Sequence, residues 1–125
     1  MKIGDTFFGL DEKGHLWIIV SEAGDDGSVA AVNFTTHDPV RRPNCNADCV
    51  VFVPGEHAYL THDSCIFYLG AALADLRLIR ERVASGRYEA HDPVSATLLE
   101  RIQLGALAFA ETPEGVQAAI RRDRQ

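Results

Sequence analysis

Histidine is the residue type in this sequence with the clearest capacity for chemistry. Four of the five histidines, His15, His37, His57 and His62, fall in the first half of the chain, at the ends of predicted strands or in loops. Catalytic side chains are often held in this way, on loops that a rigid scaffold positions. An ordinary pKa of about 6.5 lets histidine act as an acid or a base near neutral pH. The pattern favours general acid–base chemistry, although surface loops also tolerate histidines that have no function.

Hydroxyl side chains accompany these histidines. Thr35 and Thr36 end a predicted strand, and Ser64 shortly follows His62 at the start of another. Such hydroxyls could hydrogen-bond a phosphate or a sugar, but threonine is also a common strand residue. Because neighbouring strand residues face opposite sides of a sheet, we expect at most one of the two threonines to reach a given pocket.

Cysteine and histidine together raise the question of a metal site. Cys45, Cys49, His57 and His62 are of the types that bind zinc, but the cysteines lack the matching distal pair of a zinc ribbon. We therefore expect no resident metal or other cofactor, and a metal- or thiol-dependent enzyme is the least favoured interpretation. Three cysteines are an odd number, which favours reduced thiols and a cytoplasmic location over a disulfide framework.

The charge of the chain is negative and unevenly distributed. The net charge is −6; residues 1–70 carry 4 basic and 10 acidic side chains, whereas residues 71–125 carry 8 of each. Bulk attraction to nucleic acid is not expected from this balance. Arg41 and Arg42 form the one local basic pair of the first half and are the candidate phosphate contacts. The sequence has no apolar run of the ~20 residues that span a membrane, so we expect no membrane partner.

The order of predicted elements indicates an α+β fold in one domain of 125 residues. The first part is rich in Val, Ile, Phe, Trp and Tyr between turn residues, which predicts about five short strands and a small barrel or sandwich. The later part shows apolar residues at helical spacing, which predicts two or three helices packed on the strands. The predicted strands are 7–10, 16–21, 29–35, 49–53 and 65–69, and the predicted helices are 71–85, 93–109 and 112–122.

Residues 1–70 resemble the PemK/MazF toxin family of toxin–antitoxin pairs. The motifs that carry the resemblance are Gly4-Asp5, the strand 15–21 that ends in Ser, the Thr-bearing strand 32–36, and the segment 63–66. The resemblance implies an SH3-like barrel over residues 1–70, followed by a helical extension over 71–125. It also implies a metal-independent endoribonuclease that cleaves single-stranded RNA, with His15 at the place where the family has a basic residue.

The resemblance places His15 at the basic position of the family and Thr35 or Thr36 at its threonine. With His62, which the family does not require, the candidate catalytic residues are His15, Thr35, Thr36 and His62. The candidate substrate-binding residues are His57, Arg41, Arg42 and Ser64. The alternative is a non-catalytic SH3-like module that binds a protein partner, such as an antitoxin-like protein, or a nucleic acid.

Catalysis would require the candidate side chains to meet at one end of the barrel. His15 opens the second predicted strand and Thr35 ends the third, so a hairpin between them would place the two side by side. His57 and His62 precede the fifth predicted strand, and they reach the same end only if the barrel closes in that order. We therefore expect one site formed by these residues, with two imidazoles close to a shared phosphate.

We also expect a homodimer. Small barrels of this kind leave strand edges open, and a second copy can cover them. In addition, we expect Trp17 and the Phe7-Phe8 pair to present more apolar surface than one small barrel can bury. Light scattering at high micromolar concentration should report two copies of the chain, and a single 13.7 kDa species would contradict this expectation.

Overall fold

The computed structural model describes residues 1–38, 40 and 50–125, and over these residues the chain has an α+β fold. Antiparallel strands form a sheet that helices cover on both faces. The strands are β1 Thr6–Phe8, β2 Trp17–Ile19, β3 Ser28–Thr36, β4 Ser64–Ile66, β5 Ala72–Asp75 and β6 Glu89–His91. The helices are α1 Leu76–Ala84, α2 Ala96–Ala108 and α3 Glu114–Asp123, and a short 3₁₀ turn spans Tyr68–Gly70.

The long strand β3 lies at the centre of the sheet. The strands run in the order β4-β3-β2-β1-β6, and β5 also pairs with β3. Ala31 pairs with β2 on one side and with β5 on the other, so β4 and β5 share one edge of β3. The predicted α+β class is confirmed. Over the described residues the sheet does not close into a barrel, so a closed SH3-like barrel is not confirmed.

The two faces of β2 and β3 are both buried, and each packs against different helices. Ile18, Val32 and Phe34 face a core that includes Ile102 of α2 and Ile120 of α3. The alternate side chains of the same strands, with Leu76 and Ile79 of α1, form a second core on the opposite face. A strand buried on both faces is apolar along its whole length, which explains the continuous apolar runs in the sequence.

The predicted elements agree with the structure in the first half and less well afterwards. The first three strands and the last one of the first half are present, with shorter bounds for most of them. The predicted strand 49–53 contributes only an isolated bridge between Phe52 and Ser64, and Cys49 lies outside the described residues. The predicted helix 71–85 begins later, since the carboxylate of Asp75 accepts hydrogen bonds from the backbone N–H groups of Arg77 and Leu78 and caps α1 there.

Residues 71–125 are not a purely helical extension, because β5 and β6 both belong to the sheet. β6 pairs with β1 at the edge of the sheet, with His91 opposite Thr6. Its polar sequence and short length give no alternating apolar pattern, so sequence reasoning missed it. The second predicted helix also begins later, at the N-cap Ser95, whose hydroxyl accepts from the backbone N–H of Leu98.

The structure removes one of the two reasons to expect a homodimer. Phe7 is fully buried and Trp17 is 6% exposed within a single chain, so neither needs a second copy to cover it. Among the described strands, β5 pairs with β3 alone and β6 with β1 alone, and the homodimer stays a prediction. No helix in the described part of the chain is long and apolar enough to cross a membrane.

The apolar stripe of α2 yields a stability prediction. Ile102 is fully buried in the core under the sheet, whereas Leu104, on the same helix, is 47% exposed. Ile102→Ala should lower the free energy of unfolding by about 2–5 kcal/mol because it leaves a cavity. Leu104→Ala is the matched control and should change it by less than about 0.5 kcal/mol. Urea denaturation measures both, and equal effects would show that this face of α2 is not core.

Candidate functional site

A polar cavity of about 210 Å³ opens where β2 begins, β3 ends and β4 begins. Strand pairing brings these three strand ends together. The backbone N–H of Phe34 donates to the carbonyl of Leu16, next to His15, and Thr36 pairs with Ser64. The cavity brings together five of the eight predicted site residues. It is lined by His15, Phe34, Thr35, Thr36, Tyr59, His62 and Ser64.

Both threonines line this cavity, although sequence reasoning expected at most one of them to do so. Thr35 and Thr36 are the last two residues of β3. We attribute the difference to this position, because a cavity that wraps around the end of a strand contacts residues from both of its faces. Thr35 and Thr36 therefore provide two hydroxyl groups at one site.

His15 forms an acid–imidazole pair with Asp11. Its Nδ1 lies 2.6 Å from Asp11 Oδ2, and its backbone N–H donates to Asp11 Oδ1 at 3.3 Å. A carboxylate only accepts hydrogen bonds, so the proton of the neutral ring resides on Nδ1. The other ring nitrogen, Nε2, is then unprotonated and able to accept a proton from a ligand.

The carboxyl group of Asp11 is more acidic than usual. Partial burial by itself raises the pKa of Asp11, but hydrogen bonds from His15, interaction with Trp17 and the charge of His15 together hold it below its ordinary value. The indole Nε1 of Trp17 is buried outside normal hydrogen-bond geometry, so His15 is the stronger partner. Asp11 is thus ionised at neutral pH, as orientation of an imidazole requires.

His62 lies on the exposed side of the cavity and has hydroxyl partners at both ring nitrogens. Nε2 is 2.9 Å from the hydroxyl oxygen of Thr36, and Nδ1 is 3.2 Å from that of Thr61. Hydroxyl oxygens can accept from both N–H groups of a charged imidazolium. Ser64 holds the backbone of this residue, since its hydroxyl donates to the His62 carbonyl at 3.1 Å.

Two aromatic rings form the apolar wall of the cavity. The rings of Tyr59 and Phe34 have centroids 6.3 Å apart and planes inclined by 29°, and Phe8 contacts Tyr59 edge-on at 5.6 Å. Phe34 is almost fully buried, whereas Tyr59 is half-buried. The face of Tyr59 is the part of this wall on which a planar ligand such as a nucleobase could stack.

His57, predicted as a substrate-binding residue, does not line the cavity. It is 7% exposed, and its Nε2 donates to the carbonyl of Asp92 at 2.6 Å. Its Nδ1 accepts from the backbone N–H of Tyr59 at 3.1 Å. Both ring nitrogens are therefore used by the backbone, and the substrate-binding role of this residue stays a prediction.

The remaining candidate residues can be placed only in part. Arg41 and Arg42 lie outside the described residues. Among the described residues that line the cavity there is no arginine or lysine. In the same part of the chain, no three His, Cys, Asp or Glu side chains come together as metal ligands would.

Cys65 corrects the expectation of reduced thiols, because it is disulfide-bonded. The other two cysteines of the chain, Cys45 and Cys49, lie outside the described residues. Cys65 is fully buried in β4, opposite Thr35. Disulfides persist mainly in oxidising compartments, so this bond counts against the cytoplasmic location expected from the sequence.

Sequence reasoning missed three residues of this site, Asp11, Phe34 and Tyr59. The spacing of four residues between Asp11 and His15 is a usable sequence signal for an acid–imidazole pair. Tyr59 lies in a polar loop without regular secondary structure, so no periodicity indicated which way its ring would face.

Comparison of the chain with protein families, with curated proteins and with solved structures found no match.

The Asp11–His15 pair yields a prediction for the pH dependence of stability. A carboxyl group with a lowered pKa stabilises the fold above the ordinary range of Asp, about 3.9, and loses that contribution as the pH falls through its folded-state value. Asp11→Asn should therefore lower the free energy of unfolding by about 1 kcal/mol at neutral pH.

The difference between Asp11→Asn and the unmodified chain should narrow as the pH falls below about 4. Urea denaturation across this pH range measures it. Asp25→Asn, at an exposed loop position, is the matched control and should change stability by less than about 0.5 kcal/mol. A difference for Asp11→Asn that stays constant with pH would contradict the ionised pair.

Proposed function

We propose that this protein is a metal-independent endoribonuclease that cleaves single-stranded RNA by general acid–base catalysis. The observation that carries the proposal is the pair of imidazoles at one cavity, His15 and His62, which have opposite hydrogen-bond surroundings. One imidazole is oriented by a carboxylate and the other by hydroxyls. The resemblance of residues 1–70 to PemK/MazF toxins supports the same activity.

His15 is suited to act as the general base. Asp11 fixes the proton of the neutral ring on Nδ1, which leaves Nε2 to remove a proton from substrate. The carboxylate also stabilises the imidazolium that forms when Nε2 takes up that proton. A ribose 2′-hydroxyl held next to Nε2 would thereby become a nucleophile.

His62 is suited to act as the general acid. As an imidazolium it donates from both ring nitrogens, and Thr36 and Thr61 provide acceptors for both. In the complex, the 5′-oxygen of the leaving nucleotide would take the place of the Thr36 hydroxyl at Nε2. His62 is exposed, so its charged form stays hydrated until substrate binds.

The proposed reaction is an in-line displacement at phosphorus. The 2′-oxygen forms a bond to phosphorus while its proton passes to Nε2 of His15. The bond from phosphorus to the 5′-oxygen breaks, and that oxygen receives a proton from His62. The products are a 2′,3′-cyclic phosphate and a 5′-hydroxyl. His15 ends the step protonated and His62 ends it neutral.

The rest of the cavity is suited to hold a nucleotide without basic side chains. The hydroxyls of Thr35 and Thr36 can donate to the phosphate oxygens, and the Tyr59 ring can stack on a base. We further propose that the chain works as a homodimer under the control of an antitoxin-like protein. The pairing of β5 and of β6 on one side only, among the described strands, and the family resemblance support that assembly.

Cleavage of a single-stranded RNA oligonucleotide in the presence of a chelator tests this function. We expect cleavage that persists with the chelator and that stops when the scissile ribose is replaced by 2′-deoxyribose. His15→Ala and His62→Ala should each lower kcat by about 10²- to 10⁴-fold, the contribution of a general acid or base. His37→Ala, outside the cavity lining, is the matched histidine control and should keep its activity.

Two results would contradict the proposed function. Equal cleavage by the unmodified chain and both histidine variants would show that the activity comes from elsewhere. Binding of the oligonucleotide without any cleavage would instead favour the non-catalytic binding module. Growth arrest and RNA decay on induction in a bacterium, absent for His15→Ala, give the corresponding test in a cell.

A further inference from the structure

The indole N–H of Trp17 is a buried hydrogen-bond donor without an acceptor at normal geometry. Trp17 is 6% exposed, and in the part of the chain that the structure describes no group forms a hydrogen bond with its Nε1. Burial of a donor without an acceptor destabilises a fold, so buried tryptophan N–H groups usually have one. An acceptor is therefore expected close to this ring.

The carboxylate of Asp11 is the acceptor beside this ring. Burial raises the pKa of Asp11, and its interactions with His15 and with Trp17 outweigh that effect and lower it. Trp17 also follows His15 by two residues, the spacing at which side chains of an extended strand project from the same face. The carboxylate that binds His15 is thus next to the indole as well.

The Asp11 carboxylate can accept more hydrogen bonds than His15 provides. Its Oδ2 lies 2.6 Å from Nδ1 of His15, and its Oδ1 accepts from the His15 backbone N–H at 3.3 Å. A carboxylate has roughly four lone-pair sites, so each oxygen can accept one further bond. The Asp11 side chain is 25% exposed. Because an ionised group that is largely removed from water needs protein donors in its place, a further donor stabilises it.

Trp17 is the fixed member of this pair, and Asp11 is the movable one. Trp17 lies in β2, where it pairs with Phe7 of β1 on one side and with Asn33 of β3 on the other. Asp11 lies in the turn between β1 and β2 and belongs to no strand. The buried ring can therefore serve as an anchor toward which the carboxylate turns.

We propose that Trp17 is a positioning residue for the candidate general base: its indole N–H donates to the Asp11 carboxylate and holds that carboxylate against Nδ1 of His15. The three side chains then form a chain of hydrogen bonds in which each bond orients the next group. Without the indole donor, the carboxylate can rotate toward water, and the proton of the neutral imidazole is no longer confined to Nδ1. The catalytic consequence rests on the proposed function, whereas the bond itself does not.

The composition of the chain makes this bond directly testable. Trp17 is the one tryptophan of the sequence, so the protein gives a single indole N–H signal in nitrogen-15 NMR. For the same reason, a tryptophan analogue supplied during expression enters at position 17 alone. Benzothienylalanine has nearly the size of tryptophan but carries sulfur in place of the N–H. A ring-fluorinated tryptophan keeps the N–H and is the conservative variant.

NMR of the unmodified protein and of Asp11→Ala at neutral pH tests the bond itself. We expect the indole proton of Trp17 to resonate downfield, as a proton donated to a carboxylate does, and to move upfield in Asp11→Ala. Glu12→Ala, at an exposed position of the same turn, is the matched control and should leave this signal unchanged. An indole signal that is the same in Asp11→Ala as in the unmodified protein would overturn the proposal.

Replacement of Trp17 by benzothienylalanine tests the effect on His15. Above the ordinary imidazole pKa of about 6.5, nitrogen-15 shifts should show His15 as the Nδ1–H tautomer in the unmodified protein. With benzothienylalanine, the Nε2–H tautomer should become populated as well. A loss of packing alone would not change which ring nitrogen carries the proton. An unchanged tautomer would therefore contradict the positioning role.

The same replacements connect the bond to catalysis. With benzothienylalanine at position 17, kcat for RNA cleavage should fall by about 10- to 100-fold because the base is misplaced, and the fluorinated analogue should restore it. In Asp11→Ala, benzothienylalanine should cause no further loss, because Trp17 acts through Asp11. Equal kcat with and without the indole N–H, or a further loss in Asp11→Ala, would reject the role of Trp17.

Each result can be assigned to one of the two proposals. Absence of RNA cleavage by the unmodified protein, together with an indole signal that responds to Asp11→Ala, would reject the proposed function and support the bond between Trp17 and Asp11. RNA cleavage that requires His15 but not the indole N–H would reject the role of Trp17 and leave the proposed function intact.

Discussion

The pairing of β3 with three neighbours is the constraint on which the rest of the structure depends. This strand bonds to β5 at its start, to β2 in its middle and to β4 at its end. Since its backbone is covered on both edges and its side chains are buried on both faces, neither its register nor its facing can shift without exposing core. The position of its last two residues, Thr35 and Thr36, in the cavity lining is thereby fixed.

Sequence reasoning predicts those features that depend on the periodic spacing of apolar residues and on their burial. The strands β1 to β3 and the helices α2 and α3 carry strong apolar patterns, and the meeting of His15 with Thr35 follows from one hairpin. β6 and the N-terminus of α1 were missed because they depend on edge pairing and on a single capping carboxylate, Asp75. Local pattern carries little information about either.

The histidines show the same limit on a smaller scale. All of them looked alike in the sequence, yet their partners differ: a carboxylate for His15, hydroxyls for His62, and backbone groups for the buried His57. Donor and acceptor types at each ring nitrogen decide what an imidazole can do. Two of these partners lie far away in the chain, Asp92 for His57 and Thr36 for His62, and only the folded arrangement identifies them.

The opposite roles of His15 and His62 are the central claim of this account, and cleavage of RNA with a bridging 5′-sulfur at the scissile phosphate tests it most directly. A thiolate leaves without a proton, so the substrate no longer needs a general acid but still needs a base to activate the 2′-hydroxyl. We predict that His62→Ala cleaves this substrate nearly as fast as the unmodified protein, while His15→Ala remains slower by about 10²- to 10⁴-fold. Equal recovery of both variants, or of neither, would contradict the assignment.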